Sequence, residues 1–152
     1  MTEIDHMQDG VGHINVAPNG KTELGRLLYI GALRPFVDPQ YGFFASIVAF
    51  WVWYDSGQND SLREIHHDNM IRSSFSGLPD LPGNRAEVIE VLKRSIDQDP
   101  KALALLKNSS LPLVCYETIN YEGRAHPVSY ELTDREWYVN ALETIRQGLH
   151  SL

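Results

Sequence analysis

Cysteine is nearly absent from this chain: Cys115 is the only one in 152 residues. A lone thiol excludes an intramolecular disulfide framework and any metal site built from several cysteines. It makes a reducing cytoplasm the expected setting. Basic residues are also scarce, with 13 Lys and Arg against 20 Asp and Glu, a net charge of −7. Without a basic block the chain has little to offer a phosphate backbone, so non-specific nucleic-acid binding is not expected. The acidic surplus is too scattered for a DNA-mimicking surface or an acidic tail. Long apolar runs are missing too. The longest, Phe43 to Tyr54, is twelve residues, well short of the ~20 that span a bilayer as a helix, so no membrane partner is expected. The start, Met1-Thr2-Glu3-Ile4-Asp5, lacks the basic and apolar stretches of a signal peptide.

Several sequence motifs are absent as well: there is no G-x-G-x-x-G, G-x-S-x-G or H-E-x-x-H. Asn19-Gly20-Lys21-Thr22 has the ending of a phosphate-binding loop, but the position of its first glycine is held by Asn15. The segment therefore reads as a turn leading into an ordered loop.

What is present is ordinary globular material, 43% hydrophobic and 22% charged, enough for one domain. Residues 1–12 are polar and glycine-flanked and read as a flexible N-terminal tail, with the domain over 13–152. His13 to Val16 is a short strand candidate, closed by turn chemistry at Ala17-Pro18-Asn19-Gly20. A brief helix or ordered loop is expected over Thr22–Leu28. Ser46 is a candidate N-cap for a helix through Phe50, Trp51, Trp53 and Tyr54 that must be buried on most sides. A further helix is expected over Ser61–Ser73, and a loop over Phe75–Gly83. Asn84 with Glu87 fits a capping box, ahead of Val88, Val91, Leu92 and Ile96 at helical spacing. Asp99-Pro100 opens another helix. Leu113–Tyr116 and Val128–Leu132 are strand candidates. Thr133 with Glu136 is a second capping box, before a helix burying Trp137, Ala141, Leu142, Ile145 and Leu149. The fold class is α+β, small and mostly helical, with a short β component.

The residues capable of chemistry do not announce a site. His66 and His67 are adjacent, so on a helix they diverge by about 100° and chelate one ion poorly; with Glu64 and Asp68 they read as a solvated face, and no metal or other cofactor is expected. Cys115 in an apolar strand reads as packing rather than as a nucleophile paired with His126. One of Trp51 and Trp53 can be spared from the core to line a pocket for a planar base. Asp55, Glu64, Asp68, Asp80, Glu117 and Asp134 are acids suited to a glycosidic or phosphate site, but their spacing pairs no two of them.

A broader arrangement does carry information. Asn15, Lys21 to Leu28, Pro35-Phe36, Tyr41-Gly42-x-Phe44-Ala45-Ser46 and Phe50-Trp51-x-Trp53 follow in order. Leu62-Arg63-x-x-His66, Ile96-x-Gln98-Asp99-Pro100, Leu103 to Leu106, Leu111-Pro112-Leu113 and the Trp137 segment come after them. Together they resemble the NADAR, or YbiA-like, superfamily, in the compact variety associated with bacteriophages. The resemblance implies a small α+β domain and N-glycosidase chemistry on ADP-ribosyl or other ribose-linked substrates. It also implies a pocket whose Asn and Glu stabilise an oxocarbenium-like centre and activate water. At the matching positions this chain has Ile30, in Leu28-Tyr29-Ile30-Gly31, and Val48, in Ser46-Ile47-Val48. Neither side chain can move a proton.

Two functions follow. In the first, the chain is a catalytically degenerate scaffold of this type, a phage-like accessory protein that binds a host protein or a nucleotide-like small molecule. In the second, it is a diverged N-glycosidase in which Glu23, Asp55 or Asp68 has taken over. In either, Ile30, Ser46 and Val48 are the pocket positions, and Arg26, Arg34, Trp51 and Trp53 are candidates for holding a ligand, the arginines through its phosphate.

Overall fold

A computed structural model describes residues 3–70, 84–123 and 125–151. The fold is α+β, with about 47% of the described residues in helix and 16% in strand. Its contacts gather into two compact units, one made of the residues through Tyr29 with those from Leu105 onward, the other of Ile30–Ala104.

In the first unit, β1 (Glu3–Ile4), β6 (Tyr116–Ile119) and β7 (Val128–Glu131) form an antiparallel sheet in the order β1-β7-β6. The segment expected as a flexible tail thus carries a paired strand, with Ile4 opposite Ser129. It also carries Asp9, whose buried carboxylate accepts from the backbone N–H of Asn15 (3.0 Å) and of Lys21 (2.8 Å). β2 (Ile14–Asn15) pairs in parallel with β5 (Leu113–Val114). The Asn15 side chain extends that ladder, its Oδ1 accepting from Tyr116 N–H and its Nδ2 donating to the Tyr116 carbonyl. The turn at 17–20 closes with Gly20 N–H on the Ala17 carbonyl. Thr22 then caps α1 (Glu23–Leu28) by accepting from Gly25 N–H.

The last helix, α6 (Glu136–His150), buries Tyr138, Val139, Ala141, Leu142 and Arg146. The expected face is rotated slightly: Trp137, Ile145 and Leu149 are only half-buried. Arg146 can lie inside because its guanidinium donates to Ser109 Oγ and the Leu111 carbonyl and pairs with Glu143. The second capping box does not form. A 3-10 turn, Thr133–Arg135, runs straight into α6, and no side chain caps the junction.

The second unit is built around α2 (Ile47–Asp55), whose residues from Ile47 to Trp53 are all buried. A helix apolar on every face is stable only when surrounded. The β3–β4 hairpin (Phe36–Asp38 and Gly42–Phe44) and α4 (Arg85–Asp97) do much of the surrounding. Burial of Phe44, Phe50 and Trp51 contributes about 1.5–3 kcal/mol apiece. Residues 60–70 form a 3-10 turn, Asp60–Leu62, and the short α3 (His67–Met70) rather than the start of a continuous helix; residues 71–73 of that expectation, and the loop over 75–83, lie outside the described residues. Asn84 starts α4 from a left-handed conformation, φ 66°, and makes no cap; its amide donates to Asp55 Oδ1. α5 (Pro100–Lys107) follows with its cap as expected, Asp99 Oδ1 accepting from Ala102 N–H.

Candidate functional site

Three stretches of the second unit, 30–34, 45–48 and 63–67, are laced together around the start of α2. Val48 N–H donates to the Ile30 carbonyl (2.9 Å), Arg34 N–H to Ala45 (3.0 Å), Ala45 N–H to Arg63 (2.8 Å) and His67 N–H to Gly31 (2.7 Å). Ser46 joins the third stretch through its hydroxyl, which donates to the Ile65 carbonyl at 2.6 Å and accepts from Ala49 N–H at 3.1 Å as the cap of α2. The three pocket positions named from sequence are therefore neighbours. All are dry: Ile30 is 3% exposed, and Ser46 and Val48 0%. With the hydroxyl of Ser46 occupied on both sides, these three side chains offer packing rather than proton transfer.

The candidate ligand-holding residues have other partners. Arg34 is buried, with its guanidinium on the Ser95 carbonyl (3.2 Å), Ser95 Oγ (2.8 Å) and, at 3.5 Å, the Asp99 carboxylate. Arg26, in the first unit, is exposed and donates to the carbonyls of Gly20 and Lys21, tying α1 back to the turn before it. Trp51 is fully buried. Trp53 is buried with its indole N–H on Asp60 Oδ1 at 3.0 Å. The alternative acids stand on separate elements, Glu23 at the start of α1, Asp55 at the end of α2 and Asp68 in α3, and all three are exposed.

One group is not apparent from sequence reasoning. Arg63 stacks on both Phe44 (4.7 Å to the ring centre) and Trp53 (4.4 Å), while its Nε donates to the same Asp60 oxygen that takes the indole proton. Those two donors hold the exposed Asp60 carboxyl below its ordinary value. The Asp60-x-x-Arg63 spacing was the available signal; the stacking needed the hairpin. Arg63 also donates to the carbonyls of Tyr41 and Phe43, so the cation clamps β4. Nearby, Tyr41 donates its phenol proton to Glu87 at 2.8 Å, and burial with that carboxylate pushes the phenol up to about 12. The Nδ1 of His66 is buried without a hydrogen bond.

In the first unit, burial pushes the Cys115 thiol up to about 11, which leaves very little thiolate at neutral pH. Among the described residues, no three of His, Cys, Asp and Glu gather to hold a metal ion, and no helix is long and apolar enough to cross a membrane. Comparisons with protein-family models, curated proteins and solved structures returned no match for this chain.

Proposed function

We propose that this chain is a YbiA/NADAR-like scaffold that works by binding rather than by cleaving a glycosidic bond. On this reading it is a phage-type accessory protein, acting in the host cytoplasm on a host protein or a nucleotide-like ligand. The resemblance supplies the scaffold. The observation that favours binding is the corner occupied by Ile30 and Val48, apolar, closed to solvent and joined backbone to backbone. A glycosidase needs a group there that orients water or stabilises a positive sugar, and losing a general acid or base costs about 10²–10⁴-fold in rate. The capping of α2 and the packing beneath it remain intact, which fits a fold retained apart from its reaction.

The test is a melting experiment with the full-length chain against ADP-ribose, NAD, riboflavin-pathway intermediates and simple ribosides, because a ligand that binds only the folded state raises Tm. It is run beside a cleavage assay on an ADP-ribosylated substrate. Binding without turnover is the expected result for a nucleotide-like ligand. No shift with any compound narrows the reading to a protein partner. Turnover by the wild-type chain overturns it in favour of a diverged N-glycosidase, and Glu23, Asp55 and Asp68 are then the acids to replace.

A further inference from the structure

The extended segment leading into β3 is inverted at two of its three inward positions, Arg34 and Asp38, with Phe36 between them packed in the ordinary way. From Leu33 to Asp38 burial alternates strictly, but the exposed residues are Leu33, Pro35 and Val37, while the buried ones are Arg34, Phe36 and Asp38. A strand on a protein surface ordinarily places its apolar residues inward and its polar ones outward. Here the charged residues are drawn inward by α4 and the residues just after it: Arg34 bonds to Ser95 and pairs with Asp99, and Asp38 pairs with Arg94 at 2.8 Å. A one-residue slip would break both pairs, so the apolar side chains are held facing out. Phe43, directly across the hairpin from Val37, extends the same face. Leu33, Val37 and Phe43 are 57%, 60% and 43% exposed, and none of the outward residues carries a charge.

We infer that this face is a docking surface for a short amphipathic helix of a partner protein. Three observations select that occupant. First, strand addition is obstructed on both sides of the hairpin. The Gln98 amide bonds both the N–H and the carbonyl of Val37, at 3.1 and 3.0 Å, and Arg63 occupies the carbonyls of Tyr41 and Phe43. Second, the face is small for self-association. Its three large side chains expose on the order of 300 Å², against the ~800 Å² per partner of a stable complex between globular chains. Third, its length suits a helix. Leu33 to Val37 spans about 13 Å at strand rise, close to the ~10.5 Å between positions i and i+7 of a helix, the spacing of the anchor residues by which helices dock. The inference rests on the reading that the chain acts by binding, and it specifies the partner.

The test pans a display library of 12-residue stapled helical peptides against the full-length chain, with counter-selection against Val37→Glu. Because residue 37 points outward, that variant is expected to melt within a few degrees of wild type; Leu33→Glu serves as a second variant at another point of the face. Recovered peptides with apolar residues at i, i+3 or i+4 and i+7, binding both variants at least tenfold more weakly than wild type, support the inference. No recovered binder, or binders indifferent to both substitutions, overturns it. A wild-type dimer in sedimentation that Val37→Glu dissociates also overturns it, because the face then pairs with its own copy. Glycosidase turnover would overturn the binding reading without altering these outcomes.

Discussion

The backbone N–H of Val48 donates to the carbonyl of Ile30 at 2.9 Å, so two residues eighteen positions apart sit side by side in the dry interior. Restoring the polar residues that the resemblance calls for would place them where water does not reach. Val48→Glu is expected to destabilise the chain by about 4 kcal/mol or more, since a buried carboxylate without a partner is costly in either protonation state. The double variant with Ile30→Asn is expected to show no strong glycosidase activity. Urea denaturation and an ADP-ribosyl cleavage assay check the two halves. A stable, active double variant would show that the corner is a pocket lacking only its acid.

Gly25 and Gly148 provide a matched pair of opposite sign. A Cβ added at Gly25 would lie 2.1 Å from the Asn15 carbonyl oxygen, backbone that is already engaged by Ala17 N–H, whereas one at Gly148 on α6 meets nothing within 4 Å. Gly25→Ala is expected to cost at least about 3 kcal/mol, as a clash within close-packed backbone. Gly148→Ala should gain about 0.5–1 kcal/mol from helix propensity alone. Thermal melts of the two single variants decide both.

Asp38 gives the acid limb of stability a specific source. Burial alone would raise its pKa, but the hydrogen bonds from Arg94 and from the N–H groups of Gln40 and Tyr41 hold the carboxyl below its ordinary value. A carboxylate whose folded pKa is depressed adds stability above its unfolded value of about 3.9, and that stability is lost as pH falls through the folded value. Asp38→Asn is expected to cost about 2 kcal/mol at pH 7, less than the ~3–5 of a wholly buried pair because Arg94 is partly exposed. The difference from wild type should shrink below pH 4. Denaturation midpoints from pH 7 to pH 3 measure it.

Cys115 should be a poor nucleophile in the folded chain. A thiol raised from 9.0 to about 11 carries about 100-fold less thiolate at pH 7.5 than an unperturbed one. Its native reaction with a disulfide reagent is expected to be slower than in urea by about tenfold or more, because the raised pKa also makes the remaining thiolate the better nucleophile. Comparable rates in the two states would place the thiol on an open surface.

Legibility from sequence followed the range of the forces involved. Ser46 capping α2, Asp99 capping α5, the turn at 17–20 and the apolar face of α4 are set by residues within a few positions of each other, and each forms as its local chemistry requires. The failures were local patterns overridden from a distance. Asn84 has the spacing of a capping box but gives its amide to Asp55. The periodicity of residues 61–70 suggests continuous helix, yet Arg63, Ile65 and His67 are drawn into backbone and side-chain bonds with 31, 45 and 46. For the candidate site, the resemblance pointed to Ile30, Ser46 and Val48 as separate positions in the chain. Their adjacency was not legible, because it is made by backbone bonds that leave no mark on residue type.

The amino-acid sequence by itself determined which segments must be buried, where most helices begin, and that no carboxylate or amide stands at residues 30 and 48. Tertiary structure decided that Arg34 turns inward and, together with the local turn bonds of Gln40 and Tyr41, that Asp38 does, while Leu33, Val37 and Phe43 face water. The reason is energetic: a charged group can enter the interior only where specific partners await it. Ser95, Asp99 and Arg94 are brought there by a helix more than fifty residues away.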